Sequence, residues 1–211
     1  MLFKDRVDAG QQLARIMPSI STNNFIVLGL PRGGVPLAIE IAKYHKIECG
    51  VILAKKIGHP RNPEYAIGAV AEGGEPIYNQ LEITGINGQW LQEQLERIQT
   101  EMSRHRQFYG SVLSDLPLKG RDVVIVDDGI ATGLTMFAAI EAVKQASPKS
   151  LAVAVPIIPI DTYQKLLKTV NAVYVVNVPE QFLGSVGAYY LSFPQVNDQE
   201  IQKMLEGFNR D

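Results

Sequence analysis

Two carboxylates stand side by side, Asp127 and Asp128, directly after the apolar run Val123-Val124-Ile125-Val126. The segment Gly129-Ile130-Ala131-Thr132-Gly133-Leu134-Thr135 follows them. The apolar run reads as a buried strand. Adjacent acids at the end of such a strand repel each other, so their pairing asks for a chemical reason. They can hold a cation, or accept hydrogen bonds from two neighbouring sugar hydroxyls. The turn leads into a helical pattern, and a helix N-terminus offers backbone N–H groups and a partial positive charge to a phosphate. Gly133 lets the backbone approach a ligand closely, and Thr132 and Thr135 add hydroxyls. Taken alone, Thr132 is equally well a plain N-cap. Together, the acid pair, small polar turn and helix start suit a ligand with both hydroxyls and a phosphate.

Two further stretches carry chemistry of the same kind. Pro31-Arg32-Gly33-Gly34-Val35-Pro36 lies between the apolar strand Phe25–Leu30 and a helical pattern over Leu37–Lys43. Its two glycines permit unusual backbone angles and close approach to an anion; a tight turn with a surface arginine is the plainer alternative. The motif lacks the Gly-Lys-Ser/Thr ending of a Walker A loop and the Gly-x-Gly-x-x-Gly of a dinucleotide fold. Lys55 and Lys56 end a second apolar strand, Gly50–Ala54, and alternation puts at least one ammonium at the rim. His45, His59 and His105 are scattered without metal-ligand spacing and read as surface or loop residues.

These stretches need a frame to bring them together. Helical spacing covers residues 5–17, ended by Pro18, then 89–109, 133–146, 161–168 and 198–208, the third stopped by Pro148. Further strands read over 123–126, 151–155 and 172–178, and a hairpin joins Tyr65–Ala71 to Pro76–Asn79 through Glu72-Gly73-Gly74-Glu75. The long helix at 89–109 reads as a half-buried packing element. Apolar strands alternating with helices predict an α/β fold with a mostly parallel sheet covered on both faces. In such folds ligands bind at the carboxyl ends of the strands. Arg32, the lysine pair and the Asp127–Thr135 segment are thus expected on one rim.

Composition narrows the function classes. The 211 residues suffice for a single α/β domain with its own core. Hydrophobic residues at 46% and charged residues at 20% exclude a disordered chain. A net charge of −2 gives no basic field for nonspecific nucleic-acid binding. Cys49 is the only cysteine, so no intramolecular disulfide or cysteine-based zinc site forms. The first residues show no basic region leading into an apolar signal core. No apolar run reaches about 18 residues. The expectation is a soluble cytoplasmic protein with no membrane or nucleic-acid partner.

The segment from Val123 to Thr135 resembles the phosphoribosyl pyrophosphate motif of type I phosphoribosyltransferases: four apolar residues, two acids, two spacers, then Ala/Asp-Thr-Gly-x-Thr. The Pro-Arg-Gly-Gly-Val-Pro loop looks like that family's pyrophosphate loop, and Lys55-Lys56-Ile57-Gly58 its basic strand end. The run Asn62–Val70 and the tail Val186-Gly187-Ala188-Tyr189-Tyr190 are similar to a poorly characterised subgroup of the family. The resemblance implies a central, mostly parallel five-stranded sheet flanked by helices, with a small hood drawn from about residues 177–195 of one domain. It implies Asp127 and Asp128 at the ribose hydroxyls, directly or through Mg²⁺, with Lys56 as the third catalytic candidate. Gly129 and the Ala131–Thr135 turn, Leu134 included, would cradle the 5-phosphate. Arg32, Gly33, Gly34 and Lys56, and more weakly Lys55, would hold the pyrophosphate.

A loop that closes over the site is implied within residues 58–76, and a homodimer by analogy. The implied reaction is displacement of pyrophosphate from phosphoribosyl pyrophosphate by a small nitrogenous acceptor. A non-catalytic regulator with the same fold is the alternative. A phosphohydrolase or flavodoxin-like nucleotide enzyme leaves Arg32-Gly33-Gly34 unexplained. Ala131 replaces the aspartate that the hypoxanthine–guanine branch uses at the base, so the acceptor stays open.

Overall fold

The computed structural model describes residues 2–18, 24–110 and 116–210, and of Glu64 the backbone only. Five parallel strands form the central sheet in the order β2-β1-β6-β7-β8. They are β1 (Phe25–Gly29), β2 (Glu48–Val51), β6 (Asp122–Val126), β7 (Ser150–Ile157) and β8 (Ala172–Asn177). A second, antiparallel sheet holds β3 (Ala54–His59), β4 (Asn62–Ala71) and β5 (Ile77–Tyr78). The helices are α1 (Arg6–Ile16), α2 (Gly34–His45), α3 (Gly88–Gly110), α4 (Leu134–Gln145), α5 (Ile160–Leu167) and α6 (Asp198–Phe208). None of the described helices is long and apolar enough to cross a membrane.

Strand alternation sorts the core into two faces. Val27, Val124, Val126, Ala152 and Ala154 point to one side, where they meet α1 and α2 through Leu13, Leu37 and Ile41. Ile26, Leu28, Val123, Ile125 and Val153 point to the other, against Met136, Ile140 and Val143 of α4 and Leu166 of α5. With α2 on one face and α4 on the other, the connections leaving β1 and β6 diverge between two paired strands. That is the topological switch point at which open α/β sheets bind ligands. The expected parallel five-stranded frame is therefore present, and its crevice opens between the two motif-bearing loops.

The second apolar strand is shorter and earlier than Gly50–Ala54. β2 ends at Val51, after which the Ile52 amide donates to the Gly29 carbonyl and the chain leaves the sheet. Lys55 and Lys56 lie inside β3, opposite Val70 and Ala69 of β4. The implied closing loop at 58–76 is largely this ladder: β3 and β4 pair from Ala54–Ala71 to His59–Asn62, with register shifts around Gly58. Pro60 and Pro63 mask the ladder in the sequence, because proline usually marks turns or strand edges. The hairpin joining Tyr65–Ala71 to Pro76–Asn79 is present as β4 and β5, with Gly73 at φ +71° in its turn. The small sheet rests on α4, where Ala69 and Ala71 pack against Ala138.

At the opposite end of β6, Asp122 is buried and accepts from Ser150 Oγ (2.6 Å) and Asn24 Nδ2 (2.9 Å). The Ser150 hydroxyl, with help from Asn24 and Lys149, holds its carboxyl below the ordinary range despite burial. A depressed folded pKa contributes stability above the unfolded value of about 3.9, lost as pH falls through the folded value. Asp122→Asn should therefore lower Tm at pH 7, and the gap from the parent should narrow in thermal melts taken progressively below pH 4. A gap independent of pH would assign the effect to shape alone.

Candidate functional site

The β1–α2 and β6–α4 loops interlock. The Leu30 amide donates to the Val126 carbonyl at 2.8 Å and the Gly34 amide to the Leu30 carbonyl at 2.9 Å, folding the first loop back over the end of β6. The Pro31–Arg32 peptide is cis. Gly33 has ordinary helical angles, φ −66° and ψ −35°, so conformation does not demand glycine there. Contact does: a Cβ at Gly33 would overlap the Asp128 carboxylate, and one at Gly34 would overlap the Val126 carbonyl oxygen. The glycines thus let the loop lie directly on the acids.

Beside these loops opens a cleft of about 660 Å³. Pro31, Arg32, Lys55, Lys56, Asp127 and Thr135 all line it, so the separate sequence stretches do share one rim. Gly129, at φ +152°, is wedged between Val186 and Ile157, where a Cβ would strike both. The Ala131 carbonyl accepts from Thr162 Oγ1 at 3.4 Å, and Ala131 and Thr132 are exposed. Thr132 is not the helix cap: Gly133 takes that position at φ +82°, with no side-chain cap bond. Leu134 and Thr135 form the first turn of α4, leaving its N-terminal amides to face the turn.

The two acids are held differently. Asp127 lines the cleft, and its Oδ1 accepts the Asp128 amide at 2.8 Å. Burial, and next the Asp128 carboxylate, push its pKa well above the ordinary range. Asp128 is also pushed up by burial, but Arg6 opposes the shift. Arg6 Nε lies 2.8 Å from Asp128 Oδ2, and the Tyr190 hydroxyl donates to the Asp128 backbone carbonyl at 2.6 Å.

The other wall belongs to α3 and α6, and sequence reasoning missed it. Ile98, Glu101, Met102 and His105 face the cleft from α3, and Asp198 from the start of α6. Glu101 takes a hydrogen bond from Lys55 Nζ, the leading reason its carboxyl titrates below the usual range. The Tyr109 hydroxyl donates to Asp198; burial, and then that carboxylate, raise the phenol pKa. The long helix is thus a packing element on its Leu95–Met102–Tyr109 stripe and a site wall beside it. Glu101 and His105, four residues apart, share a helix face. That spacing was the available signal, without any mark of what the face would meet.

Comparison with known proteins agrees with this frame. A family model described as the phosphoribosyl transferase domain matches residues 7–190. The chain is 37% identical over 212 positions to "Putative phosphoribosyl transferase MT0597" of Mycobacterium tuberculosis (strain CDC 1551 / Oshkosh). That alignment takes in 100% of this chain and 48% of the relative, so the chain spans about half the length of the curated relatives it matches. TT1426 from Thermus thermophilus matches in structure with a TM-score of 0.82 at 38% identity, covering 99% of each chain. AQ2163 from Aquifex aeolicus shares the fold alone, with a TM-score of 0.51 at 14% identity over 84% of this chain and 76% of that one. With the acid pair, the glycine loop and the lysine-bearing hairpin gathered on the switch point of a parallel sheet that the family model spans almost throughout, the chain belongs to the phosphoribosyl transferase family.

Proposed function

We propose that this chain binds phosphoribosyl pyrophosphate and transfers its ribose 5-phosphate to a small nitrogenous acceptor, releasing pyrophosphate. The observation that carries the reading is the single cleft lined by Arg32, Lys55, Lys56, Asp127 and Thr135. Cations, a carboxylate and a residue from the first turn of a helix on one cleft match a sugar phosphorylated at both ends. Arg32 and the lysines neutralise the diphosphate, and the Ala131–Thr135 turn takes the 5-phosphate on α4's amides. Asp127 and Asp128 address the ribose hydroxyls. The segment after β8, whose Val186 touches Gly129 and whose Tyr190 reaches Asp128, forms the hood. Ala131 brings no carboxylate to the acceptor, so acceptor contacts fall to hood residues and backbone.

The acid pair fits a hard divalent cation such as Mg²⁺. It supplies carboxylate oxygens, and among the described residues no group of three or more His, Cys, Asp or Glu forms a protein-only cage. The remaining positions would go to substrate phosphate and water, as is usual for this ion. When bound, Mg²⁺ supplies charge neutralisation at the leaving diphosphate. The protein's own contribution is orientation of the anomeric carbon and exclusion of water.

Calorimetric titration with phosphoribosyl pyrophosphate, with and without Mg²⁺, tests the reading, followed by a pyrophosphate-release screen across nucleobases. Saturable binding with release for one base is expected. Absence of binding would overturn the proposal, and binding without release across the screen would make the chain a sensor. The Lys55–Glu101 ion pair adds a sharper expectation. Glu101 occupies a cation that pyrophosphate needs, so Glu101→Gln should tighten inorganic pyrophosphate binding by up to about fivefold, as loss of a competing partly exposed ion pair worth up to about 1 kcal/mol permits. Weaker binding by the variant would place Glu101 among the ligand's partners instead.

A further inference from the structure

Arg6 is the first residue of α1, 122 positions before Asp128, and no motif marks it. Its side chain is 11% exposed and its guanidinium is engaged along an edge, at a tip and on a face. Nε binds Asp128 Oδ2 at 2.8 Å, one terminal nitrogen donates to the Pro194 carbonyl at 2.6 Å, and the Phe193 ring lies 3.8 Å away under the guanidinium carbon. Phe193 stacks at 4.6 Å on Tyr190, whose hydroxyl returns to the Asp128 carbonyl, and Tyr190 bridges to Phe3 just before α1. Three distant segments therefore close a ring around one carboxylate: the start of α1, the acid loop and the post-β8 tail.

Arginine suits this place because its planar fork binds two acceptors while its face stacks on an aromatic ring. The neighbouring acid is held otherwise: Asp127 faces the cleft, and its Oδ1 accepts the Asp128 amide in place of a guanidinium.

We propose that Arg6 is a positioning residue of the ligand site, acting through Asp128. It fixes that carboxylate between the Gly33 loop and the tail, beside the cleft-facing Asp127, and joins the hood to the ribose end of the site. The ligand assignment rests on the phosphoribosyl pyrophosphate reading; the junction itself does not. Arg6→Gln removes the charge, and Arg6→Lys keeps it but cannot hold Asp128 and Pro194 at once.

The experiment combines calorimetry with phosphoribosyl pyrophosphate, kcat and KM where turnover is found, and amide hydrogen exchange of residues 178–197 in the unliganded protein. Arg6→Gln should weaken binding tenfold or more and speed tail exchange at temperatures where circular dichroism shows the sheet intact. Arg6→Lys should recover part of the affinity but leave tail exchange about as fast as in Arg6→Gln, because its single ammonium cannot hold Pro194 as well. Combining Arg6→Gln with Asp128→Asn should weaken binding no further than the worse single change, because both act at one contact. A parent-like affinity and parent-like tail exchange in folded Arg6→Gln would overturn the proposal, as would fully additive losses. If the parent protein binds no phosphoribosyl pyrophosphate, the functional reading falls, and the exchange measurement alone decides the junction: faster tail exchange in Arg6→Gln supports it and unchanged exchange overturns it.

Discussion

Asp127→Asn should lower kcat/KM by at least about tenfold while leaving the protein as stable as the parent or more so, and Asp128→Asn should damage both. The two changes look alike in sequence; their surroundings separate them. Burial and the neighbouring carboxylate both disfavour the charged form of Asp127, so its pKa is raised. For an acid with a raised folded pKa, charge costs stability once pH exceeds the unfolded value of about 3.9. An amide at pH 7 removes that cost and keeps an oxygen for the Asp128 amide. Asp128 carries a raised pKa as well, but Asp128→Asn leaves the largely buried Arg6 guanidinium without its counter-charge, a loss of about 1–3 kcal/mol or more that outweighs the relief. Charged hydrogen bonds to the ligand are worth about 1.5–3 kcal/mol each, so losing both acids should lower kcat/KM by a hundredfold or more. Thermal melts and transfer assays on the two single variants and the double variant check this. Transfer at the parental rate by Asp127→Asn would remove that acid from the site.

Gly34→Ala should be among the most destabilising single-methyl additions in the chain. A Cβ at residue 34 meets backbone, not a yielding side-chain tip: the Val126 carbonyl, with the Asp127 Cα 2.8 Å away. Relief requires moving α2 away from the end of β6, which also parts the two loops of the site. Overpacking of this kind costs about 1–3 kcal/mol, and more where backbone must shift. Gly33→Ala provides the contrast, since its overlap is with the Asp128 carboxylate. Its main effect should be weaker ligand binding, with a smaller drop in Tm. Denaturant unfolding and calorimetry on the pair check this, and equal stability of Gly34→Ala and the parent would refute the interlocked-loop description.

Local signals carried the central frame. Val123–Val126 is apolar at every position because β6 is buried on both faces, and Gly33-Gly34 announces a backbone that must lie close to something. The strands of the small sheet were harder to read, since Lys55 and Lys56 are stabilised as strand by cross-strand partners at Ala69 and Val70, about fifteen residues away. Pairing of that kind depends on tertiary context more than on intrinsic preference. Arg6 was illegible for a related reason. A charged residue in the first turn of an amphipathic helix ordinarily faces water, and only the arrival of Asp128, Phe193 and Pro194 makes it part of a site. Glu101, His105 and Asp198 share that history: each sits on a helix whose apolar stripe was readable and whose polar face had no stated neighbour.

The Arg6 junction also bears on how the protein matures. Arg6 and Pro194 are separated by 188 residues, so the ring around Asp128 closes one of the longest loops in the chain. Contacts of such separation form late, because chain entropy must be lost before they return anything. During synthesis, β1, α2 and β6 can assemble while the tail is still being made, and domains do gain structure from the N-terminal side. The sheet would then exist for a time with its second acid unclamped and its hood absent. Competence to grip a ligand is in this way tied to emergence of the segment around Pro194, and the backbone that builds the crevice precedes the side chains that finish it.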